Sequence, residues 1–135
     1  MIMDHLVYGV PDLDEAVEGF AARLGEKPRV GGKHQGLGTH NAILPLESLV
    51  YVELIAPDTG QEAPGRPRPF GLDDLARQRL VTWAARTDEI ETAVAQARAQ
   101  ARAPVRVQVL AQAVLVVGMA VRPNVQRARR LLRLP

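Results

Sequence analysis

The chain has no cysteine among its 135 residues. This absence excludes disulfide bonds, thiolate zinc sites and cysteine nucleophiles. The single serine, Ser48, lies in no nucleophile-elbow pattern and has no recognisable base near it in sequence, so hydrolase-triad chemistry is unsupported. No stretch reaches the roughly 18 to 20 apolar residues that a membrane-spanning helix needs, and the N-terminal MIMDHLV lacks the features of a secretory signal. We therefore expect a cytoplasmic protein without membrane association.

Acidic residues are absent from the last third of the chain. Residues 92–135 hold 8 arginines and no Asp or Glu, a charge of +8. Residues 1–91 hold all 15 acids and 9 of the 17 bases, a net charge of 9 − 15 = −6. Such asymmetry fits either a polyanion-binding tail or a solvated basic face. Because residues 92–135 also lack Tyr, Phe and Trp, base stacking is unsupported, and we expect no nucleic-acid partner.

The chain begins with a predicted strand followed by a predicted helix that has capping residues at both ends. Residues 2–10 are mostly apolar and end at Pro11, which is typical of a strand. Asp12 is a good N-cap, and Glu15 three residues later completes a capping-box-like pair. Gly25 is placed to end the helix. The apolar residues between them recur at helical spacing: Leu13, Ala16, Val17, Phe20 and Leu24.

Three further strands are predicted before a linker. Residues 27–38 contain four glycines and predict a short strand that runs into a loop. Residues 41–46 and 49–56 predict two more strands. Residues 57–69 are rich in proline, glycine and polar residues, which indicates a linker. A short helix is predicted at 72–78.

The opening pattern then returns 77 residues later. Residues 80–86 predict a strand, and Asp88, with Glu91 three residues on, predicts the start of a second helix. The apolar positions of this helix each follow those of the first by 77 residues: Ile90, Ala93, Val94, Ala97 and Ala101. The same spacing of apolar residues in both predicted helices indicates an internal repeat, so the fold is expected to contain two related strand–helix units.

Four stretches of the chain resemble the vicinal oxygen chelate superfamily, and within it the glyoxalase-like domain group. They are DHLVYGVPDLDEAV, GGKHQGLGTHNAI, YVELIAPD and FGLDDLARQRLVTWAARTDEIETAV, and the resemblance covers about residues 3–101. It implies an α+β fold in which paired βαβββ modules form a cup-shaped mixed sheet. Residues 1–57 would be the first module, 58–79 a linker with the short helix, and 80–135 a second, degenerate module.

The C-terminal part departs from this family after residue 103. Family members usually continue into three strands with polar and acidic residues, whereas residues 104–135 are rich in Ala, Val, Arg and Leu. Residues 105–110 and 114–121 can still be strands. A reading-frame shift in a GC-rich gene would yield such an acid-free run, a hypothesis that sequencing the locus would test. An unfilled sheet also leaves an edge with which a second chain can pair, so a homodimer is expected.

The resemblance assigns two metal ligands in the first module. In metal-dependent members four ligands converge on the open side of the cup, and His5 and Glu53 match the first-strand and last-strand positions. Imidazole and carboxylate suit Zn, Ni, Fe or Mn. The 77-residue offset puts Thr82 at the third position, and no acid follows Glu91 to supply the fourth. His5 and Glu53 are therefore either half of a divalent metal site or a metal-free hydrogen-bonding pair.

Three more residues are candidates for contacting a ligand. His34 and Asn41 lie in GGKHQGLGTHNA, which is either a segment at the cup rim, as the resemblance implies, or an ordinary loop entering a strand. Trp83 is either a core residue or a wall on which a ligand stacks. His40 has no family counterpart, and we expect it at the surface or an edge.

Two functions stay open at this stage. The chain binds a small molecule in the cup with metal-assisted lyase, isomerase or dioxygenase chemistry, or it binds or sequesters a small molecule without metal or catalysis. Alternate strand residues share a face, so His5 is predicted to point with Val7 or Met3 rather than with Asp4. This superfamily hosts several chemistries on one fold.

Overall fold

The computed structural model describes residues 2–100, 106–110 and 114–118. The first half of the chain forms a strand, a helix and three strands, with a short 3₁₀ turn (Glu47–Leu49) before the last strand. These elements are β1 (Ile2–Gly9), α1 (Leu13–Leu24), β2 (Arg29–His34), β3 (Thr39–Pro45) and β4 (Tyr51–Pro57). This order agrees with the strand–helix–three-strand pattern predicted for residues 1–57.

The second half begins with a 3₁₀ segment (Pro69–Asp74) and continues with a strand, a helix and two strands. These are β5 (Arg79–Arg86), α2 (Ile90–Gln100), β6 (Arg106–Leu110) and β7 (Val114–Gly118). The short helix predicted at 72–78 thus lies earlier and is 3₁₀ in type. Phe70 and Gly71 both have positive φ, a local kink that composition does not predict. In the described part of the chain no helix has the length and apolar character to cross a membrane.

Helix α1 begins and ends at the residues that the sequence predicts. The Asp12 side chain accepts a hydrogen bond from the Glu15 N–H at 2.8 Å, which satisfies one of the free amides of the first turn. Gly25 adopts the left-handed conformation and its N–H bonds to the Ala21 carbonyl, a common helix ending. Both caps are confirmed.

Helix α2 begins two residues after its predicted cap. The Glu89 carbonyl accepts the first helical bond, from the Ala93 N–H at 3.0 Å. The Glu89 N–H bonds to the Thr87 hydroxyl at 3.1 Å, so Thr87 rather than Asp88 provides the described side-chain bond at this end. The start at Ile90 still lies 77 residues after the start of α1 at Leu13.

One mixed sheet contains all seven described strands, in the order β2-β3-β4-β1-β5-β7-β6. β1 pairs with β4 in parallel and with β5 antiparallel, so the two halves meet along β1 and β5. His5 lies opposite Ala84, Leu6 opposite Trp83, and Val7 opposite Thr82. Under the 77-residue offset this register is symmetric about the Leu6–Trp83 pair.

The halves differ beyond this seam. In the first half β4 lies beside β1 and runs parallel to it. In the second half β7 lies beside β5 and runs antiparallel to it. The described part of the second half therefore does not reproduce the strand arrangement of the first, as the predicted degenerate module implies.

The two faces of the sheet carry different cores. On one, the helix face, α1 covers apolar side chains of β1, β3 and β4, with Val10, Leu13, Val17 and Leu54 among the buried residues. The other, which we call the concave face, carries Val7 and Ile55 packed against Leu72 and Leu75 from the segment before β5. The concave face is the one that carries the candidate site.

Candidate functional site

His5 lies on the concave face with Val7, two residues along the same strand. Its side chain is only 7 % exposed. The Tyr51 ring, from the neighbouring strand β4, stacks on the imidazole with 4.5 Å between ring centroids and 16° between planes. The predicted orientation with Val7 is therefore correct.

The predicted separation of His5 from Asp4 is wrong. The β1–β5 register shifts between Met3 and His5, so Asp4 is an extra residue that pairs with no residue of β5. A bulge of this kind re-aims side chains, and the Asp4 Oδ1 lies 2.6 Å from the His5 Nδ1. Strict strand alternation fails at this residue because the ladder is interrupted there.

Glu53 faces His5 across the concave face. The Glu53 Oε2 lies 3.6 Å from the His5 Nε2, and the Glu53 side chain is 15 % exposed. The Asn41 amide nitrogen donates to the Glu53 Oε1 at 2.6 Å. The β1–β4 register explains the juxtaposition, because Val7 pairs with Glu53 and His5 with Tyr51, which places all four residues on one face.

Asn41 extends this contact toward β2. Its Oδ1 accepts the Gly32 N–H at 2.9 Å, and its Nδ2 lies 3.3 Å from the His34 Nε2. An amide nitrogen only donates, so the His34 Nε2 is the acceptor. The remaining ring nitrogen, Nδ1, then carries the proton that it donates to the Thr39 hydroxyl at 2.9 Å. His34 is therefore held as a neutral ring, with its Nε2 3.8 Å from the Glu53 Oε1.

Tyr51 experiences the electrostatic field of this cluster. Burial, followed by the Coulombic effects of Asp4 and Glu53 and a hydrogen bond to Asp4, raises the pKa of the Tyr51 phenol to about 12. Each of these effects disfavours a phenolate beside carboxylates in a partly desolvated site. The phenol therefore stays a neutral hydrogen-bond donor at physiological pH.

Four of the five predicted ligand-contacting residues thus meet in one network: His5, His34, Asn41 and Glu53. We call this group the polar cluster. Trp83 is not part of it. Its side chain packs with Ile90, Ala93 and Val94 of α2, which agrees with the core role that the sequence left open.

A family model described as "Glyoxalase-like domain" matches residues 3–124. The chain belongs to the glyoxalase-like domain family. The match extends past residue 103, after which the sequence predicts a departure from the family, so the family resemblance reaches further into the C-terminal part than predicted. The family lies within the vicinal oxygen chelate superfamily. No curated protein matches the chain significantly.

Solved structures with this fold include several methylmalonyl-CoA epimerases. The Mycobacterium tuberculosis enzyme is 22 % identical, with a TM-score of 0.57 over 80 % of this chain and 67 % of that one. An epimerase in complex with methylmalonyl-CoA and NH4+ is 19 % identical, with a TM-score of 0.53 over 80 % and 73 %. A Streptomyces coelicolor epimerase variant with 2-nitronate-propionyl-CoA is 18 % identical, with a TM-score of 0.52 over 81 % and 74 %. At these identities the likeness establishes the fold.

This glyoxalase-like chain supplies two of the four side chains that a metal site of this kind needs. Two metal–ligand bonds of about 2.1 Å can span the 3.6 Å between the His5 Nε2 and the Glu53 Oε2. Thr82, opposite Val7, offers a hydroxyl, which is a weak ligand for Zn, Ni, Fe or Mn. Within residues 2–100, 106–110 and 114–118, no group of three or more His, Asp or Glu is arranged to hold a metal ion. A complete four-ligand site is not supported by these residues.

Sequence reasoning missed three residues beside the polar cluster: Asp4, Tyr51 and Arg86. Tyr51 could have been found from its spacing, because it lies two residues before Glu53 and so shares its face. Asp4 could not, because only the bulge brings it to His5. Arg86 belongs to β5, and its Nε lies 3.0 Å from the Asp4 Oδ2, a contact that depends on strand pairing between the two halves.

Proposed function

We propose that this glyoxalase-like chain binds a small polar molecule on the concave face, where His5 and Glu53 contact it directly. The observation that carries the proposal is the pairing of the His5 Nε2 and the Glu53 Oε2 at 3.6 Å. This distance exceeds that of an N–H···O hydrogen bond, so a ligand group or a cation between the two atoms would be bound by both. Asn41, whose amide nitrogen also contacts His34, holds the Glu53 carboxylate from the other side.

The fixed charges indicate which ligand group suits the site. The carboxylates of Asp4 and Glu53 outnumber the one guanidinium beside them, that of Arg86, which pairs with Asp4, so these fixed charges sum to a negative charge. The described hydrogen bond to the Glu53 carboxylate ends on Oε1. The Oε2 therefore favours a hydrogen-bond donor such as a hydroxyl or ammonium group, or a cation.

Metal-assisted chemistry is the second candidate, and the imidazole–carboxylate pair is the observation that favours it. His5 and Glu53 would hold a divalent ion, which as a Lewis acid would polarise a substrate oxygen. The solved epimerases make a coenzyme A thioester a reasonable probe for lyase, isomerase or related chemistry. A thioester acid is anionic, so its binding beside these carboxylates would require the ion.

Calorimetric titration distinguishes the two candidates. The probes are Zn²⁺, Ni²⁺ and Mn²⁺ alone, methylmalonyl-CoA with and without each ion, and a set of small polyols and amines. His5→Ala and Glu53→Gln are expected to abolish whichever binding is found. His40→Ala is the matched control, since His40 lies opposite Ala56 on the strand position of the helix face.

The outcomes of this titration distinguish metal-free binding, metal binding and binding at a different site. Metal-free binding that both site variants abolish supports the first candidate. Stoichiometric, chelator-resistant metal that is lost in His5→Ala supports the second. Binding of any probe that survives both His5→Ala and Glu53→Gln would contradict the proposed site.

Three further features are proposals of the same kind. The internal repeat is supported by the symmetric β1–β5 register about Leu6–Trp83 and by the 77-residue spacing of the two helix starts. Homodimerisation and a cytoplasmic location remain predictions. Light scattering of the purified chain tests the first of these two, and cell fractionation the second.

A further inference from the structure

His5 is contacted on two sides by Asp4 and Tyr51, neither of which contacts the ligand in the proposed function. Its Nδ1 lies 2.6 Å from the Asp4 Oδ1, with the two side chains only 7 % and 13 % exposed. A carboxylate can only accept at this position, so the Nδ1 carries the proton. The Nε2 is then the nitrogen that faces Glu53, and the stacked Tyr51 ring limits rotation of the imidazole.

Asp4 is itself held in place from the second half of the chain. The Arg86 Nε lies 3.0 Å from the Asp4 Oδ2, as an ion pair rather than an aligned hydrogen bond. The Arg86 Nη2 donates to the Leu49 carbonyl at 3.1 Å, which ties the guanidinium to the turn before β4. Asp4 also lies close enough to the Tyr51 phenol, on β4, to raise the pKa of that phenol. The carboxylate is therefore restrained by groups from β4 and β5.

We propose that Asp4 is a positioning residue that fixes the Nδ1-protonated tautomer of His5, and that Arg86 acts on the site through Asp4. The second half of the chain, which lacks a histidine at the position of Thr82, would thus contribute to the site by orienting the first-half imidazole. A carboxylate behind an imidazole is a general device for setting tautomer and orientation. The inference rests on the proposed function only in taking the His5 Nε2 as the ligand-facing atom.

Imidazole nitrogen chemical shifts of the isotope-labelled, ligand-free chain test this directly. The spectra are recorded at a pH where all three histidines are neutral, and His5→Gln identifies the signals of His5. We expect His5 in the Nδ1-protonated form. In Asp4→Asn the amide can donate as well as accept, so the Nε2-protonated form should become populated, the change that the equivalent substitution causes in a Ser-His-Asp triad.

Arg86 supplies a second, milder variant should Asp4→Asn fold poorly. Arg86→Gln is expected to shift the tautomer in the same direction to a smaller extent, and Arg86→Lys to restore much of the parent spectrum because it keeps the charge. Asp73→Asn is the matched control. It removes another Asp–Arg pair, with Arg68 at 2.6 Å, away from His5, and should leave the His5 signals unchanged.

The spectrum of the parent chain alone can overturn the proposal. An Nε2-protonated His5 in that chain would do so, as would an unchanged tautomer in both folded Asp4→Asn and folded Arg86→Gln. Because no ligand is present, these results are independent of the calorimetric test. A failure of small-molecule binding would refute the proposed function and leave the tautomer result standing.

Discussion

Gly31 lies against the Asn41 amide so closely that a side chain cannot be added without moving it. A Cβ at Gly31 would overlap the Asn41 Oδ1 and lie 3.1 Å from its Cγ, whereas a Cβ at Gly32 would meet no atom within 4 Å. Both glycines lie exposed in strand β2 at the edge of the sheet. Gly31→Ala and Gly32→Ala therefore differ mainly in the contact with Asn41.

The expected cost follows from the bonds that Asn41 would lose. Displacing its Oδ1 breaks the hydrogen bond from the Gly32 N–H, which is worth about 1 kcal/mol. Tilting the amide also weakens the 2.6 Å bond to Glu53, and a charged acceptor makes such a bond worth about 1.5–3 kcal/mol. Because an edge strand can relax, we expect Gly31→Ala to lower the free energy of unfolding by about 2 kcal/mol. Gly32→Ala should change it by less than about 1 kcal/mol, and in the stabilising direction.

Urea unfolding followed by circular dichroism measures both variants. The decisive step is a double-mutant cycle with Asn41→Ala, in which Gly31→Ala should cost no more than about 0.5 kcal/mol because its clashing partner is gone. Equal effects of the two glycine substitutions would refute the reasoning. An additive cycle would do the same, since it would place the cost elsewhere than in the Asn41 contact.

Two further predictions concern pH and the core. Burial and two nearby carboxylates raise the pKa of Tyr51 from 10.0 to about 12, so this contribution to stability is complete below pH 10 and is lost as pH rises to about 12. Tyr51→Phe should remove that alkaline loss, and an unaltered stability–pH curve would contradict it. Leu54 is fully buried, so Leu54→Ala should cost about 2–5 kcal/mol in urea unfolding. Leu24→Ala, at a residue that is 51 % exposed, should lower the free energy of unfolding by less than about 0.5 kcal/mol. Equal losses of stability in Leu54→Ala and Leu24→Ala would contradict the assignment of Leu54 to the core.

The first half of the fold was predictable because local signals there agree with the tertiary structure. Asp12 caps the start of α1 and Gly25 caps its end, each through a hydrogen bond to a residue three or four positions away in sequence. The second half of the fold was less predictable from the sequence. The 3₁₀ segment lies earlier than predicted because Phe70 and Gly71 take positive φ, and the capping of α2 differs because the Thr87 hydroxyl bonds to the Glu89 N–H.

The candidate site divides in the same way. His5, Glu53, His34 and Asn41 were found by resemblance to a family pattern, and strand pairing brings them together. Asp4 was excluded by strand alternation, which is a rule for uninterrupted ladders. A bulge is an insertion in one strand relative to its partner, so it can be recognised only when the register between β1 and β5 is known.

The β1–β5 register is symmetric about the Leu6–Trp83 pair, but the candidate site beside it is asymmetric. The register sets Val7 opposite Thr82 and His5 opposite Ala84, so the position equivalent to His5 in the second half carries a hydroxyl and the partner of His5 is small. Tyr51 covers one face of the imidazole ring. Arg86 enters at the far end of the same strand and meets Asp4 at the bulge. In the proposed site, Arg86 of the second half orients the imidazole through Asp4, and the first half supplies His5 and Glu53 as the groups that contact the ligand.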